Sequence, residues 1–206
     1  MPRARKKQTI GNRRSGTVDE ILRAIRVENP DDKEWPQDYA SQATSSFLDE
    51  WISNNVDPEM QDPQTVRDTI EPNVQDAIWE AVSKSVWSNT MLAATNAIER
   101  SAERAGVQLS VDSNDKGVVT IEFEPKSMMR AWAEETEGMG YTAWDPSLRP
   151  KDIESAIMIV NILQHRDEVY GGGSMERDFE SYFERFEPEI GHYFNLSKIA
   201  EKALRR

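Results

Sequence analysis

Residues 98–123, IERSAERAGVQLSVDSNDKGVVTIEF, contain the change of periodicity that decides the fold. Up to Ala105 the apolar positions recur at helical spacing, through Val74, Ala77, Ile78, Ala81, Val82, Ser85, Leu92, Ile98 and Ala102, and Gly106 supplies a C-terminal stop. Beyond Gly106 the period drops to two. Val107, Leu109 and Val111 alternate with polar residues, 113–117 reads as a turn, and Val119, Ile121 and Phe123 alternate again. The spacing therefore predicts a long helix from Pro72 to Ala105 followed by a β-hairpin within 107–124. At about 1.5 Å per residue that helix would span roughly 50 Å, so it is kinked near Ser88-Asn89-Thr90 or is a spine reaching neighbouring molecules. A lone hairpin is marginal in water, so its apolar face is expected on the long helix or in a sheet shared with another subunit.

Upstream, Thr17-Val18-Asp19-Glu20 is a capping box that starts a helix running to about Val27, before Asn29-Pro30. A second helix is expected over Asp38 to Asn54, with Tyr39, Ala43, Phe47, Leu48, Trp51 and Ile52 on one stripe. Asp57-Pro58 and Asp62-Pro63 suit turns or helix starts. Downstream, Ser127 can cap a short helix ended by Gly138, and 138–150 reads as a loop. Residues 151–170 form a central buried helix whose middle has little polar face. Gly171-Gly172-Gly173 breaks it, Ser174 caps a helix with Phe179, Tyr182, Phe183 and Phe186 in one stripe, and Ser197 can cap the last. The fold class is mainly α with a small hairpin (α+β). Its parts are a basic arm over 1–16, a helical body over 17–170, and a C-terminal extension over 171–206 after a glycine hinge.

The chain has 206 residues, a net charge of -12 and no Cys, which excludes disulfide scaffolds and thiolate chemistry. Charge is unevenly placed. Arg3, Arg5, Lys6, Lys7, Arg13 and Arg14 give residues 1–16 a charge of +6 with no acid, leaving -18 on the other 190. With few large apolar side chains, this arm is expected to be disordered alone and to order against a phosphate backbone or an acidic protein face. The carboxylate excess with few Lys fits a high-salt source as well as an ordinary acidic protein. The longest apolar run, Ala156 to Val160, is far short of a bilayer span, and the sequence reads as having no secretory signal and no membrane partner.

Chemistry-bearing patterns are sparse. His165 and His192 have no metal-ligand spacing, so no metal or cofactor is expected. His165-Arg166-Asp167 matches the start of a kinase catalytic loop, but no glycine-rich phosphate loop precedes it. Asp112, Asn114 and Gly117 mimic calcium-loop positions, yet Lys116 and Phe123 stand where ligands belong. The carboxylates Glu122, Glu124, Glu134, Glu135 and Glu137 are expected on a solvated face or binding rim, with no catalytic residues assigned.

The order of long helix, glycine, hairpin, short aromatic-acidic helix and Pro-rich loop resembles the tail-completion and neck proteins of tailed viruses. The residues concerned are Ile98 to Ala105, the hairpin Val107 to Phe123, Ala131-Trp132-Ala133-Glu134-Glu135-Thr136-Glu137-Gly138-Met139, and Pro146-Ser147-Leu148-Arg149-Pro150. The resemblance implies a non-enzymatic, ring-forming subunit at a head–tail junction, placed in a virion assembled in the host cytoplasm. Its partners would be copies of itself, other virion proteins and, through the arm, a nucleic-acid backbone. Expected interface residues are Trp132, Tyr141 and Trp144, with the stripe Phe179, Tyr182, Phe183 and Phe186, because exposed aromatics anchor interfaces. Two other readings stay open: a cellular, cytoplasmic nucleic-acid-associated protein using the basic arm, and an enzyme of another family.

Overall fold

The computed structural model describes residues 12–29, 35–131, 155–170, 172–186 and 196–205. The chain is mostly helical with one small antiparallel sheet, as the change of period indicates. In order, the elements are β1 (Asn12–Thr17), α1 (Val18–Ile25), α2 (Trp35–Asn55), α3 (Pro63–Arg104), β2 (Leu109–Ser113), β3 (Val118–Phe123), α4 (described over 125–131), α5 (Ala156–Tyr170), α6 (Met175–Phe186) and α7 (Leu196–Ala203). Two compact units share this chain, one of Met1–Glu28 with Met91–Phe183, the other of Asn29–Thr90 with Glu184–Arg206. The division differs from the expected body and extension, because segments distant in sequence contribute to each core.

In the first unit the hairpin is not alone. β1 pairs antiparallel with β3 on the side opposite β2, giving the strand order β1-β3-β2. The basic arm therefore does not extend to residue 16, since 12–17 belong to the sheet, and residues 1–11 lie outside the described residues. NRRSGT lacks apolar alternation, and backbone bonds to β3 recruit it instead. Gly16 faces α5: a Cβ there would lie 3.5 Å from Ala156 Cβ, an ordinary van der Waals contact, so α5 packs close on the sheet. Val119, Ile121 and Phe123 are fully buried with Ile21 and Ile25 of α1 and Ile159 and Leu163 of α5.

Local chemistry sets the helix ends. Thr17 is the N-cap of α1, with its hydroxyl bonded to the Glu20 amide and the Glu20 carboxylate accepting from the Thr17 amide. The α1 C-cap is Arg26 in the left-handed region (φ 68), a position that glycine usually marks in a sequence. α4 starts before Ser127. The Glu124 carboxylate accepts the Lys126 and Ser127 amides, while the Ser127 hydroxyl serves the Gln108 amide. Ser197 lies inside α7, which begins at Leu196.

In the second unit the buried line of α2 is Ala40, Thr44 and Leu48, so Tyr39, Phe47 and Trp51 of the expected stripe are only half-buried. Thr44 is tolerated because its hydroxyl donates to the Ala40 carbonyl (2.8 Å). α3 begins nine residues earlier than periodicity suggests. Asp62 caps it with Pro63 in the first turn, and Pro72 sits inside it. It passes through Ser88-Asn89-Thr90 without interruption, where Ser88 and Thr90 donate to carbonyls four residues back. Val74, Ile78, Val82 and Val86 are fully buried there; where α3 continues in the first unit, Leu92 is exposed and Met91 is buried.

Candidate interaction surface

A three-stranded sheet has two edges, and an edge invites pairing wherever its outward amides are free. Here carboxylates occupy three of them. Glu99 of α3 accepts the Val111 amide (3.1 Å) and Asp112 the Ser113 amide (2.9 Å) along β2, while Glu20 accepts the Thr17 amide (2.9 Å) at the end of β1. The expected lone hairpin is thus corrected, since β1 pairs with its β3 edge and carboxylates cap amides along β2. The outer edge of β1 is different. Register places the Ser15 and Thr120 hydroxyls 3.3 Å apart across the pair, and the Arg13 carbonyl is taken by the Arg14 guanidinium (2.8 Å). Arg13 also lies 3.9 Å from Glu122, an exposed pair of small energetic weight. Arg13 and Arg14 are thereby committed to the sheet rim, and Arg3, Arg5, Lys6 and Lys7 lie outside the described residues.

Beside β2, α3 and α6 border an open groove of about 890 Å³ lined by Asn96, Glu99, Arg100, Glu103, Gln108 and Tyr182, among others. One of its lining residues, Arg100, adjoins a charge cluster that spans α3, α5 and α6. The Arg104 fork holds Asp167 through two bonds (3.0 and 2.6 Å) and reaches Asp178 at 2.5 Å, while Ser101 donates to Asp167 (2.7 Å). Arg100 approaches Asp178 at 3.8 Å. The hydrogen bonds that Arg104 donates to Asp167, set against partial burial and joined by the one to Asp178, hold its guanidinium well above the usual range. Asp167, at 4% exposure, belongs to the triplet that matches a kinase loop, and both its oxygens are occupied by Arg104 and Ser101. That arrangement ties α3, α5 and α6 together and leaves the carboxylate no route to a substrate proton. Sequence reasoning missed this cluster, because its two halves, Ser101 with Arg104 and Asp167 with Asp178, are 63 and more residues apart.

The aromatic stripe of α6 is a correction. Phe179 and Phe183 stack at 5.9 Å with nearly parallel rings and are buried within the chain, so they pack the core instead of presenting an interface. Tyr182 borders the groove, and the Phe186 side chain lies outside the described residues, as do Trp132, Tyr141, Trp144, Glu134, Glu135 and Glu137. Asn114 accepts the Lys116 and Val118 amides and Gly117 adopts φ 73, so the calcium-like residues form a hairpin turn. Among the described residues no acid or histidine cluster fits a metal ion, and no helix is long and apolar enough to cross a membrane.

Comparison with known proteins returned no matching family model, no matching curated protein and no matching solved structure.

Proposed function

We propose that this chain is a structural subunit of a viral particle, a ring-forming head–tail neck or tail-completion protein that works by protein–protein assembly rather than catalysis. The observation that carries the reading is the rooting of the cationic segment in an edge strand: β1 begins at Asn12 on the sheet rim, with Arg3, Arg5, Lys6 and Lys7 immediately before it. A cationic segment of +4 at a rim, on a body with a charge of -16, suits head-to-tail contact between copies. The saturated Ser101-Arg104-Asp167-Asp178 cluster is consistent with a scaffold, and the likeness of residues 98–150 to neck proteins supplies the viral setting.

Negative-stain electron microscopy of the purified chain tests this directly. Closed rings of uniform diameter are expected. Single particles of one-subunit size at every concentration contradict it, and binding of duplex DNA by a monomer through the cationic segment favours the nucleic-acid-associated reading instead.

A further inference from the structure

In the second unit, Phe47, Glu50, Trp51 and Asn54 of α2 and Ser197 and Glu201 of α7 border a cleft of about 180 Å³. That volume equals about six waters of liquid, enough for one long side chain. The residues converge because 47, 51 and 54 lie beside the buried line of α2, and 197 and 201 are one turn apart on α7. Phe47 and Trp51 are half-buried, whereas Glu50 and Glu201 are exposed and have no ion-pair partner among the described residues. Asp49, next to Glu50, is by contrast held by Arg67. No lining residue is cationic; Lys198 and Lys202 follow Ser197 and Glu201 along α7.

Aromatic faces flanked by two carboxylates repel anions and leave the carboxylates without a partner beside a neutral ligand. They suit an alkyl chain ending in guanidinium or ammonium, which stacks on the indole and bonds the carboxylates. The chain itself holds such groups in quantity. Four cations, Arg3, Arg5, Lys6 and Lys7, precede the sheet, and residues 1–16 contain no acid to compete for them. We infer that the Phe47-Trp51-Glu50-Glu201 cleft receives an Arg or Lys side chain from residues 3–7 of a second copy. This rests on the subunit reading and names the contact that would join one copy to the next.

The test uses the full chain with Arg3, Arg5, Lys6 and Lys7 changed to Gln as receptor, so that its own segment does not compete, and a synthetic peptide of residues 1–11 as probe. Calorimetry should show binding that weakens at least tenfold with Glu50→Gln plus Glu201→Gln and also with Trp51→Leu. A peptide with the four cations replaced by Gln should not bind. The Gln pair is isosteric and exposed, so circular dichroism should confirm a native fold where Trp51→Leu perturbs packing. In the otherwise unaltered chain the Gln pair should lower self-association to a similar degree. Peptide binding that ignores the cleft variants overturns the inference while leaving ring formation, and the subunit reading, intact. A monomeric chain whose cleft is filled by its own segment, shown by peptide binding only after the four cations are removed, overturns the second-copy occupant and the subunit reading together.

Discussion

Gly173 shows how one residue couples a linker to a charge cluster. A Cβ at that position would fall on the Arg104 guanidinium, which Asp167 and Asp178 prevent from moving away. Gly173→Ala should therefore lower stability by about 1–3 kcal/mol, the range for forced overpacking, as read from urea unfolding midpoints. Arg104→Met leaves the buried Asp167 with only Ser101 as a donor and should cost about 3–5 kcal/mol. Retention of full stability in both variants would show that the cluster does not hold α3, α5 and α6 together. Three carboxylates at helix starts make a second residue-scale case. Amide and hydroxyl bonds from Thr17 lower the Glu20 carboxyl, those from Thr65 lower Asp62, and for Glu124 burial opposes the shift but amide bonds from Lys126 and Ser127 outweigh it. Carboxyls depressed in the folded state contribute stability that is complete above their ordinary values of 4.5 and 3.8 and is lost as pH falls through the depressed ones. Thermal unfolding should shift downward as pH drops from about 5 to about 3, and Glu20→Gln with Asp62→Asn should flatten that slope. The Arg104 cluster was not legible in the sequence: the triplet His165-Arg166-Asp167 drew attention to Asp167 for another role, and nothing local pairs it with Arg104 or Asp178 in a chain with 37 acids. The capping box at Thr17, by contrast, was fully legible, since its two bonds depend on residues three apart.

At the scale of elements, the sequence was legible wherever a period or a cap is local. The hairpin, the Gly106 stop (φ 66), a buried helix ending at Tyr170 and the Ser174 cap follow from spacing alone, although the helix expected from Lys151 is described from Ala156. β1 was not legible, because a strand held by backbone bonds at a sheet edge needs no apolar pattern, and its partner β3 lies about a hundred residues away. The α6 stripe misled for the converse reason: amphipathic spacing shows that a face is buried, not whether its own chain or another buries it. The revised boundary gives a prediction. Deleting residues 2–11 should leave the thermal midpoint of the body unchanged, whereas deleting 2–16 strips the outer edge of β3 and should destabilise it by about 2 kcal/mol or more. Equal melting of the two truncations would remove β1 from the stable sheet. Trp144, outside the described residues, carries the expectation of an interface anchor from the sequence. Trp144→Ala should weaken subunit association by about 2 kcal/mol in sedimentation equilibrium while sparing the subunit's own melting transition.

For the whole molecule, two units are built from alternating stretches of one chain, and charge is unevenly distributed along it. A segment of +4 precedes a body of -16, so attraction between copies competes with repulsion between their bodies. Salt screens both, and the outcome distinguishes them: contact through residues 3–7 weakens as ionic strength rises, whereas body repulsion alone would let association strengthen. The candidate site was half legible, since the cationic segment is plain in the sequence but the cleft that would receive it joins positions 47–54 to 197–201, a pairing no local pattern announces. The most direct measurement of the central claim is the mass of the full chain by light scattering across concentration and salt. The account predicts one discrete multiple of 23.6 kDa at moderate salt, dissociating as salt rises and when Arg3, Arg5, Lys6 and Lys7 are changed to Gln. A mass of 23.6 kDa at every concentration and ionic strength would contradict it.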